Sequence, residues 1–319
     1  MRRLVVLGML LVAGCSAPAP PEDAPAAGAS EVTLWLTTSG FTGDAPTGAE
    51  AERVPSGNFF RAWAAGEGLP TWRGAPPARD LLVRNATVVV WAEAPRGSAQ
   101  AGSFPAHIAY FGAAPFLMAQ ASLAPPGVVP PGDVRELVFD LGMPRGGLVL
   151  PAGEGLELLV TPVQTQDDAA DAIHYLVNAT DRPSRVVLQV EPVVLAAEGS
   201  VESDTSNGRV AGSAYVLGAR EGATAALFDV PVPADATRVE VVMEVGQKAG
   251  IPDVDVTLLD EDGEEVASSV TPYGREAVRL LAPNLDGLHG TTLTARVVNY
   301  GSAYAEFRLT TTTAGAAGD

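Results

Sequence analysis

The chain of 319 residues holds one cysteine, Cys15, one lysine, Lys248, and only three histidines, His107, His174 and His289. A single cysteine excludes an intramolecular disulfide and leaves nothing for a two-thiol redox site. Three scattered histidines without a spaced partner do not make a zinc site. His107 and His174 fall in expected strands, and His289 in a glycine-bounded turn. The serine elbow Gly-x-Ser-x-Gly of many hydrolases is missing too, which removes the usual signature of nucleophilic hydrolysis. No later stretch offers the roughly 20 apolar residues that a membrane-crossing helix needs. Basic charge is scarce: 20 Lys and Arg stand against 38 Asp and Glu, for a net charge of −18. Such a chain is repelled by nucleic acid and by anionic lipid surfaces, so nucleic acid is excluded as a partner. The acid surplus is concentrated late, with 19 acids against 8 bases from Glu198 onward.

What is present begins with an export signal. Met1-Arg2-Arg3 is a positive start and residues 4–13 form a short apolar core, the plan of a signal peptide. Val12-Ala13-Gly14-Cys15 resembles the lipobox of prokaryotic lipoproteins. That resemblance implies a signal peptide over 1–14, cleavage before Cys15, and a diacylglyceryl group on the Cys15 thiol. The membrane is then a partner through that lipid, and the body faces outward from the cytoplasmic membrane, anchored to the envelope. The alternative is an ordinary cleaved signal with a chance cysteine. Residues 15–30, the lipidated cysteine and a Pro- and Ala-rich linker, read as an extended, semi-rigid tether.

The remainder is apolar enough for packed cores, at 47% hydrophobic residues, and its 34 glycines and 26 prolines favour many turns and short strands. In 31–37, Val32, Leu34 and Leu36 alternate with Thr33, Trp35 and Thr37, the period of a half-buried strand. Residues 38–78 read as a long irregular stretch that either packs its aromatics onto the sandwich or contains a short helix around 56–65. Strands follow over 81–93 (one or two), 107–111, 116–123, 135–141, 156–161, 173–178 and 185–191. The polar, small and acidic stretch 197–207 reads as a boundary. A second series covers 226–230, 239–245, 254–258, 293–297 and 305–309, with Asp262-Gly263 as a hairpin turn. The expected fold class is all-β, with two β-sandwich domains in series at 31–196 and 205–319.

Phe228-Asp229-Val230-Pro231, Asp253-Val254-Asp255-Val256-Thr257-Leu258, Asp262-Gly263 and Val297-Val298-Asn299-Tyr300-Gly301 stand in the order found in the prepeptidase C-terminal (PPC) domain family. Residues 221–310 resemble that family, which implies a compact, non-catalytic sandwich accessory to secreted proteins. Residues 72–191 are similar to the galactose-binding-like jelly-roll domain of X-prolyl dipeptidyl peptidases, on Trp72 to Trp91 and on Leu148-Val149-Leu150-Pro151-Ala152-Gly153. The hydrolase core of those enzymes has no counterpart here.

Two candidate sites stand out. Asp253, Asp255, Asp260 and Asp262 are carboxylates of the kind Ca2+ prefers, although the EF-hand spacing is absent. The competing reading is a solvated strand face plus a hairpin turn. Trp35 and Trp91 lie on or near strand surfaces and could stack on a sugar ring; the competing reading is packing. Together these features describe a cell-surface lipoprotein that is not an enzyme and binds an extracellular glycan or polypeptide. Two alternatives are a structural spacer or surface-layer component without a specific ligand, and an accessory subunit of a separately encoded secreted hydrolase.

Overall fold

The computed structural model describes residues 29–56, 71–94, 106–113, 116–123, 129–130, 132–163, 173–211, 225–246, 254–269, 275–300 and 304–318. These residues form an all-β structure of four antiparallel sheets.

Sheet I is eight-stranded, built from β1 (Ser30–Leu36), β2 (Phe41–Thr42), β3 (Glu52–Pro55), β5 (Leu81–Glu93), β8 (Val134–Asp140), β9 (Leu148–Leu150), β11 (His174–Val177) and β12 (Arg185–Pro192). Sheet II contains β4 (Thr71–Gly74), β6 (Ala106–Ala113), β7 (Phe116–Leu123) and β10 (Leu156–Val163) in the order β4-β10-β6-β7. The central strand is β5, which pairs with β12 and β11 along one edge and with β9 and β8 along the other. Its inward residues Ala86, Val88, Val90 and Ala92 join Phe111, Leu137, Phe139, Leu158 and Leu188 in the first core. A bulge opposite Gln189/Val190 leaves Arg84 as the extra residue on β5. The bulge reverses the alternation, so Val83 and Ala86 both reach the core although their numbers differ by an odd step.

Sheet III orders β13 (Glu198–Val210), β20 (Ala305–Ala316), β15 (Ala236–Val245) and β18 (Arg275–Leu281) as β13-β20-β15-β18. Sheet IV orders β14 (Ala225–Pro231), β19 (Thr292–Asn299), β16 (Val254–Leu259) and β17 (Glu265–Ser269) as β14-β19-β16-β17. Their inner faces share a second core around Val239, Val241, Met243, Val256, Leu258, Val278, Val297 and Phe307. Asp262-Gly263 does form the β16–β17 turn, with Gly263 at φ 82°, a conformation open to glycine at no steric cost.

The structure departs from the sequence expectations at 38–78, at 198–207 and at β18, which no expected strand covers. Residues 38–78 are not wholly irregular, because β2, β3 and β4 lie there. The short helix expected around 56–65 falls almost entirely outside the described residues. Residues 81–93, expected to hold one strand or two, form one. The stretch 198–207, read as a boundary, is most of β13 and pairs with β20 as far as Val210. Polar on both faces, it carries none of the apolar alternation by which strands are read.

The two pairs of sheets meet at a tight junction. Asn284, in the one-turn helix α1 (Ala282–Leu285), is fully buried. Its Nδ2 donates to the carbonyls of Arg145 (2.8 Å) and Gly147 (2.6 Å), and its Oδ1 accepts the Leu281 N–H at 3.1 Å. Gly146 has φ 76°, and a Cβ there would stand 2.1 Å from the Pro283 carbonyl oxygen. Leu82, Val149 and Leu281 form a small apolar cluster across the same seam. On β18, Arg279 binds Glu240 of its own sheet (2.5 Å) and Glu154 of the other unit, with its guanidinium 3.7 Å from the centroid of the Phe116 ring.

Candidate functional site

The two tryptophans singled out from sequence share the outer face of sheet I. Trp35 on β1 pairs directly with Arg185 on β12, and Arg185 pairs with Val89 on β5. Directly paired residues point to the same face, and so do residues two apart along a strand. Val89 and Trp91 are therefore on the face that carries Trp35 and Arg185. One two-residue step and two strand spacings separate the tryptophans, roughly 12 Å between their Cα atoms. The Arg185 guanidinium sits 5.9 Å from the Trp35 ring centroid, within cation–π reach, and donates to the Pro183 carbonyl at 2.9 Å.

This arrangement sits where the chain leaves β11 and enters β12. Ser184 holds that corner: its Oγ donates to the Leu176 carbonyl (2.6 Å) and accepts the Trp91 backbone N–H (3.0 Å). Both tryptophan residues are half-buried. The indole Nε1 of Trp91 is buried without a hydrogen-bond partner. Thr33, Val187, Thr87 and Asp140 form the next row of the face, with Thr87 Oγ1 donating to Asp140 Oδ1 at 3.0 Å. At the upper end of β5, Arg53 and Glu93 form an ion pair at 2.6 Å. The hydrogen bond from Arg53 holds the Glu93 carboxyl below the ordinary carboxylate range. Two indoles and one oriented guanidinium thus share this face.

Among the described carboxylates proposed for Ca2+, Asp255 is not brought to Asp260 and Asp262. Asp253 lies outside the described residues. Asp255 is near the start of β16 and Asp260 just beyond its end. Five residues of extended chain place them roughly 16 Å apart. Asp260 is also engaged locally: its Oδ1 accepts the N–H groups of Asp262 (3.1 Å) and Glu264 (2.9 Å), and its Oδ2 faces Arg145 at 3.5 Å. Asp260 and Asp262 are thus residues of a tight turn. Among the described residues no group of three or more His, Cys, Asp or Glu is placed to hold a metal. His107 is buried in β6, His174 lies in β11, and His289 is exposed in the turn between Gly287 and Gly290. Cys15 and the segments 1–14 and 15–28 lie outside the described residues.

A concavity of about 430 Å3 opens at the junction beside Arg84, Glu191, Val193, Pro283 and Asp286. Arg84 and Glu191 are ion-paired there, and Arg84 also donates to the Gly146 carbonyl at 3.0 Å, so its cation already serves the seam. Arg185, which sequence reasoning did not single out, is the cation of the tryptophan face. Alternation over 185–191 signals that its side chain points outward, but only strand register places it opposite Trp35.

No family model matches the chain, and no curated protein matches it. Among solved structures, it is similar to a CocE/NonD family hydrolase from Staphylococcus aureus, at 10% identity and a TM-score of 0.36 over 51% of this chain and 37% of that one. An aminopeptidase from a marine sediment archaeon, Thaumarchaeota archaeon, gives 9% identity and a TM-score of 0.37 over the same shares. The chain therefore spans little more than a third of the length of those two proteins. Peptide-N(4)-(N-acetyl-beta-D-glucosaminyl) asparagine amidase gives 9% identity and a TM-score of 0.33 over 90% of this chain and 96% of that one.

Proposed function

We propose that this chain is an envelope-anchored, non-catalytic module that binds an extracellular saccharide across the face formed by Trp35, Arg185 and Trp91. The observation that carries the reading is their placement on one outward surface of sheet I, with the arginine between the two indoles. Indole faces are apolar and suit the C–H faces of sugar rings, while a guanidinium offers up to five donors to ring hydroxyls. Arg185 is held over Trp35 before any ligand arrives, which lowers the ordering cost of binding. Attachment is through the lipid on Cys15, and the tether 15–30 sets the module off from the membrane. In this reading the first unit is a galactose-binding-like jelly roll and the second a PPC-like accessory sandwich. The support for those family readings is the order of the motifs already quoted. The test is a glycan array probed with the full chain in detergent. Saturable binding to a class of saccharides is the expected result, and a blank array in the presence of a folded protein would remove the reading.

A second reading, a rigid spacer, is favoured by one observation. Asn284 and Arg279 tie the two units together with buried hydrogen bonds and an ion pair, where a flexible connection would have sufficed to join them.

A further inference from the structure

Among the described residues, β13 has one bonded edge and one open edge. It is a terminal strand of sheet III, and from Val201 to Val210 each residue pairs with β20. Among the described residues no backbone hydrogen bond leaves its other edge. The strand that meets the first unit, β18, is the opposite terminal strand of the same sheet. Residues 198–205 are exposed on both faces.

Proteins blunt long open edges with charged side chains, lysine above all, with proline or with strong irregularity, because unpaired N–H and C=O groups invite another strand; charges of one sign guard against like-charged strands and leave the edge open to a strand of opposite charge. Residues 198–210 contain neither lysine nor proline. The one irregularity lies at the start, between Glu198 and Val201, and the ten residues beyond it run in regular register. On one face, Ser203 and Thr205 share hydroxyl hydrogen bonds with Thr312 (2.9 Å) and Thr310 (3.3 Å), which keeps this part of the sheet ordered. On the other, Glu202 and Asp204 stand side by side, opposite Thr313 and Thr311, and neither is in an ion pair among the described residues. The only cation of the strand, Arg209, is on the Ser203 face and lies 3.8 Å from the Tyr304 ring centroid.

Charge decides between occupants. If a second copy paired antiparallel about Ser203, Glu202 of each copy would face Asp204 of the other and gather four carboxylates. Like charges directly opposite are destabilising. An extended segment with lysine or arginine at positions i and i+2 places both cations on the acidic face, because side chains alternate with a period of two. Main-chain hydrogen bonds would supply affinity and the alternating cations specificity. We infer that the open edge of β13 docks an extended basic polypeptide segment, with cations at alternate positions, as a fifth strand of sheet III.

The test uses the purified full chain in detergent and a fluorescein-labelled, capped peptide, Thr-Lys-Thr-Lys-Thr-Lys-Thr, followed by anisotropy. Two controls separate strand pairing from simple attraction. One is the same peptide N-methylated at alternate backbone nitrogens, which keeps the charge and loses the donors. The other is the double variant Glu202→Gln/Asp204→Asn, whose exposed sites leave the melt unchanged. The expected result is saturable binding that weakens by about tenfold or more with either control. Four results overturn the inference: no saturation by about 1 mM peptide, equal binding of the N-methylated peptide, equal binding by the double variant, or a wild-type dimer in sedimentation velocity that occupies the edge itself.

Discussion

Tyr175 is fully buried in the first core, beside Trp72 at a ring separation of 5.7 Å, and its hydroxyl has no hydrogen-bond partner. A buried, unpaired hydroxyl costs about 1–3 kcal/mol of desolvation. Tyr175→Phe removes the hydroxyl at nearly constant volume, so it should stabilise the protein by about 1 kcal/mol in chemical denaturation. Burial also pushes the Tyr175 phenol well above its ordinary value. A raised folded pKa means that stability is whole below the unfolded value, about 10, and is lost above it. The wild type should therefore weaken above about pH 10 more than the phenylalanine variant does. Carboxylates act in the opposite direction. Hydrogen bonds from Arg238 and Arg53 hold Glu198 and Glu93 below the ordinary carboxylate range. Their contribution is complete above the unfolded value of about 4.3 and disappears as pH falls through the lowered folded value. The denaturation midpoint should drop between about pH 5 and pH 3, and Glu198→Gln should flatten part of that drop. The effect is small, because both pairs are partly exposed to solvent.

The strands divide by how much of their environment they write into their own residues. β12, β15, β16 and β19 were legible because one face is more deeply buried than the other, so apolar residues recur at every second position. β13 was invisible for the converse reason: almost nothing on it is buried, and its stability comes from backbone pairing with β20 and hydroxyl contacts. β2 and β3 are too short to show a period and are set by long-range pairing with β1 and β11. The candidate site divides in the same way. Trp35 and Trp91 could each be picked out as aromatics on strands, whereas their shared face with Arg185 depends on the register of β1, β12 and β5. Asp255 and the pair Asp260 and Asp262 are close in sequence, but the length of β16 separates them; Asp253 lies outside the described residues. An expectation about proteolysis changes accordingly. If 198–207 were a linker it would be the first site of cleavage, but a paired strand resists a protease, which needs an extended, unbonded substrate. Limited digestion followed by mass spectrometry should find no early cut within 201–210; early cleavage there would show that β13 is not held by β20.

At the scale of the whole molecule, the junction determines whether the two units behave as one body. Asn284 serves two carbonyls on the first unit and one N–H on its own, all within a buried seam. Asn284→Ala leaves those groups without their partners and should cost about 3 kcal/mol. In calorimetry the wild type should melt in a single transition, and the variant should lose that coupling and melt in two. A wild type that already melts in two would show that the seam does not couple the units, and the spacer reading would lose its support. The binding reading is tested most directly by titrating the full chain with the tightest saccharide from the array, beside Trp35→Ala, Trp91→Ala and Arg185→Ala. Each substitution should weaken binding by about threefold to tenfold, the worth of one aromatic or cation–π contact, while the melting temperature of Trp35→Ala stays near that of the wild type. Undiminished affinity in all three variants would contradict the account and move the ligand away from this face.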